Sequence, residues 1–119
     1  MQVIIEISLY GATTKHDVLT RFGETLELGG PDGNVPVDPT QGRGWGFNWD
    51  ALADSLTELG SGGIWGTSRK FTFPLKLTIT GSDGFRTRNA DEFEQLKSVL
   101  EDTRDHYSRR QRQFDFNFA

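Results

Sequence analysis

Cysteine is absent from this chain of 119 residues, and histidine occurs at only two positions, His16 and His106. A chain without cysteine has no disulfide framework, no thiolate zinc site and no cysteine nucleophile. Two isolated histidines do not suggest a metal site, and neither has an evident nucleophile beside it. The sequence therefore predicts no metal, no cofactor and a protein suited to the reducing cytoplasm.

Long hydrophobic runs are also missing. The first ten residues, MQVIIEISLY, have no basic residue ahead of their apolar stretch and carry Glu6 inside it. That pattern fits neither a signal peptide nor a membrane span, which both need a longer uncharged apolar segment. We expect a cytoplasmic protein that makes no contact with a membrane.

Hydrophobic residues make up only 34% of the chain, but its aromatic content is high enough to build a core. Nine Phe, three Trp and two Tyr residues each bury a large area, and the length is that of one ordinary domain. We therefore predict a single folded domain over residues 1–119.

Positive charge is scarce in the first part of the chain. Residues 1–66 contain nine acidic and three basic side chains, whereas residues 67–119 contain eight acidic and ten basic ones. An acidic surface repels nucleic acid and attracts basic proteins. The four arginines between Arg104 and Arg112 resemble a nucleic-acid patch, but arginine near a helix end is also favoured by the helix dipole. The predicted partner is a basic protein and not a nucleic acid.

Three segments alternate apolar and polar residues with the period of a β-strand. The first, residues 3–10, is apolar enough on both sides that we expect both of its faces to be covered. The second follows Pro74, whose missing N–H places the start of its pairing at Leu75. The third occupies residues 114–118.

Segments with the apolar periodicity of a helix lie between these predicted strands. Thr14 and Asp17 form a capping-box pattern ahead of one helix, and Asn89 stands where it could cap another. The inward positions expected in these two helices are Leu19, Phe22 and Leu26, then Phe93, Leu96, Leu100 and Tyr107. Residues 81–88 are predicted to form a polar loop. Alternating strands and helices predict an α/β fold with a parallel sheet of about three strands packed by helices.

Residues 44–59, GWGFNWDALADSLTEL, combine a helix start with an unusual charge pattern. Asn48 can cap the helix. An apolar stripe recurs along one side at Trp49, Leu52, Leu56 and Leu59, and an acidic stripe recurs on another side at Asp50, Asp54 and Glu58. Like charges one turn apart destabilise a helix by about 0.2–0.5 kcal/mol per pair, and only Asp50 is favoured by the helix dipole. The acidic stripe is either a solvated helix face or a binding surface for a basic partner.

The loop before this helix is long. Residues 29–46 contain six Gly and three Pro and have no strand or helix period. Loops of this length are usually functional or mobile, so this one is either a mobile insertion or a loop that contacts the partner. Its glycines do not form a nucleotide-binding signature.

The segment GFNWDALADSL, residues 46–56, resembles the centre of the barstar family of intracellular inhibitors of secreted microbial ribonucleases. The positions that match the family pattern are Trp45, Gly46, Asn48, Asp50, Ala51, Leu52 and Asp54. The order of elements is similar too, including a Pro-Leu-x-Leu strand start at residues 74–77 and a C-terminal strand. The resemblance implies a barstar-like fold over most of the chain outside two loops, residues 29–46 and the Gly-rich connection at residues 60–70.

The resemblance also implies a binding mode. In the family, the helix and its preceding loop plug the nuclease active site, and the carboxylate matching Asp54 takes the place of a substrate phosphate. Asp50 would supply a second carboxylate, and Trp45 matches an aromatic residue of the loop. The partner-binding residues predicted on this basis are Gly44, Trp45, Gly46, Asn48, Asp50, Asp54, Glu101 and Asp102.

Two features of the resemblance leave alternatives open. A further acid of the family falls at Glu101 or Asp102, and the alignment does not separate them. Gly44 and Ala53 stand where some members carry aromatic contact residues, so the cognate nuclease is expected to differ.

We therefore expect an inhibitor that forms a one-to-one complex with a small microbial ribonuclease whose active site is basic, and that is monomeric when free. The alternative is a barstar-like interaction or immunity module whose target is not a guanyl-preferring ribonuclease. An enzyme that uses Asp50 and Asp54 as acid and base would need a cleft that perturbs their pKa values, which an exposed helix does not provide. We predict no enzymatic activity.

Overall fold

The structure is a computed structural model that describes residues 2–26, 48–57, 59 and 71–119. Its elements in chain order are β1 (Val3–Ser8), α1 (Lys15–Leu26), α2 (Trp49–Leu56), β2 (Leu75–Thr80), α3 (Asp83–Arg88), α4 (Ala90–Ser108) and β3 (Phe114–Phe118). Within these residues the strands form one parallel sheet and share a core with the helices, which confirms the predicted α/β fold. The loop at residues 29–46 lies outside the described residues, and a single domain over 1–119 stays a prediction.

β2 is the central strand of a sheet with the order β1-β2-β3. Both neighbours run parallel to it, with Leu75 opposite Val3 on one side and opposite Phe114 on the other. Pairing begins at Leu75, as predicted, because Pro74 has no N–H to donate. The Pro74 carbonyl accepts a hydrogen bond from the Val3 N–H at 2.9 Å, so the proline still contributes to strand alignment.

The prediction that the first strand is covered on both faces is wrong. Burial alternates along β1, where Ile7 is fully buried and Ile4 is 62% exposed. Tyr10, just beyond the strand, is 70% exposed. The helices share a core with the Ile7 side of β1 and leave the Ile4 side uncovered. Ile4 misled the prediction because isoleucine suits the backbone of a strand on either face.

α1 starts with the predicted capping box. The Asp17 N–H donates to Thr14 Oγ1 at 3.1 Å, and the Asp17 carboxylate accepts from the N–H groups of Thr13 at 3.3 Å and Thr14 at 3.4 Å. These bonds hold the pKa of Asp17 below its ordinary value, with the Thr13 N–H as the largest cause and the Thr14 side chain next. The predicted inward positions of α1 are fully buried at Leu19, Phe22 and Leu26.

Residues 83–88 are not the predicted polar loop but the short helix α3. Its last turn is closed by a hydrogen bond from the Asn89 N–H to the Phe85 carbonyl at 2.8 Å. Phe85 is fully buried, and its ring centroid lies 6.5 Å from that of Phe93 in α4. A helix held by one buried aromatic is too short to show a periodic apolar pattern, so the sequence did not reveal it.

Asn89 precedes α4 as predicted, but its side chain does not cap the helix. Its Nδ2 amide donates instead to the Thr13 carbonyl, which joins the start of α4 to the start of α1. This hydrogen bond to a distant segment takes the place of the predicted side-chain cap of α4. The predicted buried side of α4 is confirmed at Phe93, Leu96, Leu100 and Tyr107.

The turn between β2 and α3 requires glycine. Gly81 has a φ of +71°, and a Cβ at this position would lie 2.6 Å from Cγ of Tyr10. Inside α3, a Cβ on Gly84 would meet its nearest neighbour, the Thr13 Cγ2, at 3.9 Å. Of these two positions, only Gly81 excludes a side chain.

Candidate functional site

α2 begins and packs as its sequence predicts. Asn48 has extended backbone angles, and its Oδ1 accepts a hydrogen bond from the Ala51 N–H at 2.7 Å. This cap satisfies one of the N–H groups that a helix leaves unpaired at its start. The predicted apolar stripe is buried at all four positions, Trp49, Leu52, Leu56 and Leu59.

The helix ends earlier than the apolar stripe implied. α2 stops at Leu56, and Thr57 occupies the C-cap position. The Leu59 N–H donates to the Tyr107 hydroxyl at 3.2 Å, so a side chain of α4 has replaced a helix carbonyl as its acceptor. Glu58, the third acid of the predicted stripe, lies outside the described residues.

Asp50 and Asp54 are exposed on the outer side of α2, one helical turn apart. Among the residues that the structure describes, no hydrogen bond or ion pair engages either side-chain carboxylate. Asp50 lies in the first turn, where the helix dipole favours a negative charge. A partner can approach both carboxylates without breaking an internal salt bridge in this part of the chain.

Tyr107 of α4 holds the C-terminal end of α2. Its hydroxyl donates to the Leu56 carbonyl and accepts from the Leu59 N–H. Its ring is 2% exposed and packs against Phe73 and Phe114, with centroid separations of 4.7 and 5.5 Å. A buried hydroxyl with both a donor and an acceptor bond fixes this end of the helix.

Trp49 holds the N-terminal end of α2. Its Nε1–H donates to the Glu92 carboxylate of α4 at 2.5 Å, and the Lys15 ammonium of α1 lies 5.9 Å from the centroid of one of its rings. Three helices therefore meet at one side chain. Sequence reasoning missed this cluster, because Glu92 is 43 residues away from Trp49 and neither residue belongs to a shared motif. An open cavity of about 320 Å³ lies beside the cluster and is completed by Asn48, Asp50 and Gln95.

Glu101 and Asp102 are both exposed on α4, but they lie on different sides of it. Asp102 follows Gln95 by two helical turns, so it lies on the side of α4 that borders α2. Glu101 is one turn from Arg104, which forms an ion pair with Asp115 of β3 at 3.8 Å. By helical spacing, Asp102 shares the side of α4 that carries Gln95, and Glu101 lies about 100° further round the helix, nearer to Arg104.

The predicted loop contacts Gly44, Trp45 and Gly46 lie outside the described residues, and their role stays a prediction. The site that can be described therefore consists of the outer side of α2 and the adjoining side of α4. We refer to its three carboxylates, Asp50, Asp54 and Asp102, as the acidic face.

Comparison with known protein families gives a match over most of the chain. Residues 40–119 match the model of the family described as Barstar (barnase inhibitor). The chain belongs to the barstar family. The resemblance found in the sequence is thereby confirmed, and membership of the barstar family implies a ribonuclease as the kind of partner. Among curated proteins, no match to this barstar-family chain is found.

The described residues of this barstar-family chain contain neither a membrane-spanning helix nor a metal-ligand cluster. In the stretches 2–26, 48–57 and 71–119, no helix is long and apolar enough to cross a membrane. Over the described residues, His, Asp and Glu side chains form no group of three or more that could hold a metal ion. The carboxylates of the acidic face therefore do not belong to a metal-ligand cluster in the part of the chain that is described.

Proposed function

We propose that this chain inhibits a small microbial ribonuclease of the extracellular type by covering its active site with the acidic face. The observation that carries the proposal is the pair Asp50 and Asp54, exposed one turn apart on a helix whose opposite side is buried. Neither carboxylate is engaged by another described residue. Membership of a family of barnase inhibitors supports a ribonuclease as the target.

The physical basis of inhibition is phosphate mimicry. A ribonuclease active site presents basic groups to a substrate phosphate, and a carboxylate placed among them makes strong charge-assisted hydrogen bonds. In this proposal Asp54 takes the phosphate position and Asp50 meets a second basic group. Truncating one partner of such a pair costs about 2–5 kcal/mol, a magnitude for which barnase and its inhibitor are the standard example. Two like charges one turn apart cost the helix only about 0.2–0.5 kcal/mol, so binding outweighs the loss of helix stability.

The fixed position of α2 supports tight binding. Tyr107 holds one end of the helix and Trp49 holds the other, both through residues of α4. A preorganised helix loses little conformational freedom when it binds. In this proposal Asn48 acts by fixing the start of the helix, since its Oδ1 is engaged by the Ala51 N–H.

Asp102 is the acid of α4 that we assign to the interface, in preference to Glu101. It lies on the side of α4 that borders α2, whereas Glu101 lies on the side of Arg104 and β3. Asp102→Ala should weaken inhibition, and Glu101→Ala should leave it nearly unchanged. The reverse result would assign the interface to the other side of α4.

The loop residues Gly44, Trp45 and Gly46 complete the proposed interface on the strength of their match to the family pattern. Trp45 supplies the aromatic contact, and the two glycines leave room for the nuclease surface to approach. The length of the loop at residues 29–46 is a further candidate determinant of which nuclease is bound.

The direct test is titration of the protein into barnase and other small guanyl-preferring ribonucleases, with RNA cleavage as the readout. We expect one-to-one inhibition of at least one enzyme. Asp54→Ala should then lose about 30-fold or more in affinity, which corresponds to the lower end of about 2–5 kcal/mol. The matched control is Glu94→Ala, which removes an exposed carboxylate from the solvent-facing side of α4 and should retain inhibition.

Asp54→Ala should leave the fold intact, because this side chain is exposed and has no described partner. A folded Asp54→Ala variant that inhibits as strongly as the parent protein would refute the mechanism. Association should also slow markedly as the salt concentration rises, because an acidic face steers a basic partner through long-range charge.

The second candidate function is a barstar-like immunity module that acts on another basic target. It is favoured by Ala53, which stands beside the acidic pair where some family members carry an aromatic contact residue. This module would bind through the acidic face but would not inhibit any guanyl-preferring ribonuclease. For either target we propose a monomer that acts in the bacterial cytoplasm, which the absence of cysteine supports.

A further inference from the structure

The sheet has two outer edges. Its order is β1-β2-β3, and in the part of the chain that the structure describes both flanking strands pair with β2 alone. The outer edge of a strand presents N–H and C=O groups that can pair with a strand of another molecule. Each edge is therefore a surface on which two copies of this chain could associate.

β1 has the composition of a strand that pairs readily. Its sequence, VIIEIS, contains four β-branched residues, one charged residue and neither glycine nor proline. Short segments of this kind associate as strands when their edge is accessible. Ile4 is in addition 62% exposed. An unprotected β1 edge would therefore favour pairing between copies.

The register of β1 determines which of its backbone groups lie on the outer edge. The Val3 N–H donates to the Pro74 carbonyl of the neighbouring chain segment, and the direction of these groups alternates along a strand. The backbone groups of Ile4, Glu6 and Ser8 therefore face away from β2. These three residues form the outer edge of β1.

Arg21 of α1 blocks one end of this edge. Its Nη1 donates to the Ser8 carbonyl at 3.1 Å, so this acceptor is already occupied by a side chain of the same molecule. A strand of a second copy could bond to the Ser8 carbonyl only after displacing the guanidinium. Pairing along the whole of β1 is thereby weakened at its C-terminal end.

Glu6 blocks the centre of the same edge through its charge. If two β1 strands paired antiparallel over their full length, Ile4 of one copy would lie opposite Ser8 of the other, and the two Glu6 side chains would lie opposite each other. Like charges directly opposite each other destabilise a strand pair. Glu6 is exposed, and no ion pair among the described residues neutralises it.

Asp115 blocks the outer edge of β3. The Ala119 N–H donates to the Ile79 carbonyl of β2, so by alternation the Phe116 N–H faces away from β2. The Asp115 Oδ1 accepts this N–H at 2.8 Å, in the middle of the strand. Arg104 of α4 lies 3.8 Å from the same oxygen and helps to hold it there. A donor that a second copy would need is thus occupied.

We propose that Glu6, Arg21 and Asp115 keep both edges of the sheet from pairing with a second copy of this chain. We refer to them as the edge-blocking residues. Glu6 acts by charge repulsion, Arg21 by occupying an acceptor and Asp115 by occupying a donor. Their effect is to keep the chain monomeric, and it requires no ribonuclease, so the inference does not depend on the proposed function.

The test compares two double variants that carry the same chemical changes. Glu6→Gln with Arg21→Met removes both edge-blocking residues of β1. Glu24→Gln with Arg88→Met makes the same replacements at exposed positions of α1 and α3. Because the two variants have the same composition and net charge, general effects of charge on solubility are matched. Sedimentation velocity over a series of protein concentrations measures association, and urea unfolding establishes that each variant is folded.

We expect the parent protein and the control variant to sediment as single chains. The β1 variant should associate at protein concentrations at least about tenfold lower than the control, because one opposing charge pair and two blocked carbonyls are removed from the paired state. Hydrogen exchange locates the contact. The amide N–H groups at positions 4 and 6 should become protected in the associated form.

Asp115 is tested by a conservative replacement. Asp115→Ala frees the Phe116 N–H and should promote association, whereas Asp115→Asn keeps an oxygen that can accept this N–H and should largely prevent it. A role of Asp115 that depended only on its ion pair with Arg104 would make the two variants alike. Asp105→Ala, which removes an exposed carboxylate from α4, is the control and should remain monomeric.

The inference is overturned if the parent protein itself associates through β1, if the folded β1 variant sediments like its control, or if protection appears elsewhere than at positions 4 and 6. Equal behaviour of Asp115→Ala and Asp105→Ala would overturn the role of Asp115. Should Arg21→Met impair folding, Glu6→Gln alone provides the same test against Glu24→Gln, because both side chains are exposed. Failure of ribonuclease inhibition would appear separately, in the titration with Asp54→Ala.

Discussion

The hydroxyl of Tyr107 offers the sharpest test of how α2 is held in place. Tyr107→Phe removes one buried oxygen and leaves the aromatic ring, so packing against Phe73 and Phe114 is retained. The substitution deprives the Leu56 carbonyl of its donor and the Leu59 N–H of its acceptor. The variant therefore removes the two described hydrogen bonds that join α4 to the end of α2 and keeps the ring contacts.

The magnitude follows from the burial of these groups. Leu56, Leu59 and Tyr107 are all at most 2% exposed, so water does not readily replace the lost hydroxyl. A buried polar group that loses its partner costs about 1–3 kcal/mol, and two such groups are involved. Allowing for local rearrangement, we expect the free energy of unfolding to fall by about 2–3 kcal/mol. For a domain of this size that corresponds to a decrease in Tm of roughly 6–15 °C.

The assay is urea unfolding followed by circular dichroism, with thermal unfolding as a second measurement. The m-value should stay constant, because Tyr107→Phe changes stability and not the surface exposed on unfolding. Tyr10→Phe is the matched control, since it removes the same hydroxyl from a side chain that is 70% exposed. This control should change the free energy of unfolding by less than about 0.5 kcal/mol.

A loss below about 0.5 kcal/mol in Tyr107→Phe would refute the reasoning, because it would mean that the end of α2 does not depend on the hydroxyl. The variant also connects stability to function. If α2 must be held in place for tight binding, folded Tyr107→Phe should inhibit the target nuclease less strongly, although its acidic face is unchanged.

Three further predictions concern local structure. Gly81→Ala should lower the free energy of unfolding by about 2 kcal/mol or more, because the new Cβ would sit at a positive φ and close to the backbone and ring of Tyr10. Gly84→Ala, the control, should be neutral or stabilising by up to about 1 kcal/mol. Equal effects of the two substitutions in urea unfolding would contradict this prediction. Asn48→Ala should lower the free energy of unfolding by about 1 kcal/mol by removing the cap of α2, and an unchanged free energy of unfolding in urea would contradict the assignment. The pKa of Asp17 is lowered chiefly by the Thr13 N–H, so its contribution to stability is present at neutral pH and is lost as the pH falls through that depressed pKa. Asp17→Asn should therefore destabilise the protein at neutral pH and make little difference in strong acid, which urea unfolding at a series of pH values would measure.

Local patterns in the sequence were sufficient for most of the fold. The start of β2 followed from the missing N–H of Pro74, and the capping box of α1 followed from Thr14 and Asp17. Each of these features depends on groups a few residues apart, so the sequence contains all the participants. The buried stripe of α2 was predictable for the same reason, since helical spacing determines which residues share a side.

The errors arose where distant segments decide the local structure. α3 forms because Phe85 is buried against Phe93 of α4. No periodic pattern in the sequence indicated this contact. The Asn89 side chain does not cap α4 but donates to the Thr13 carbonyl, 76 residues away in the chain. Ile4 is exposed because the packing of helices against the sheet, and not its own β-propensity, determines which face of β1 is covered.

For the candidate site, the sequence by itself determined which carboxylates share the outer side of α2, because Asp50 and Asp54 are related by the helical repeat alone. It also placed the chain in the barstar family through a short motif around them. Only the tertiary structure gives a reason to propose Asp102 rather than Glu101 for the interface, because that choice depends on how α4 is rotated against its neighbours. The cavity between Lys15 and Glu92 likewise exists only after three helix starts have come together, since contacts across the chain depend on packing and not on spacing.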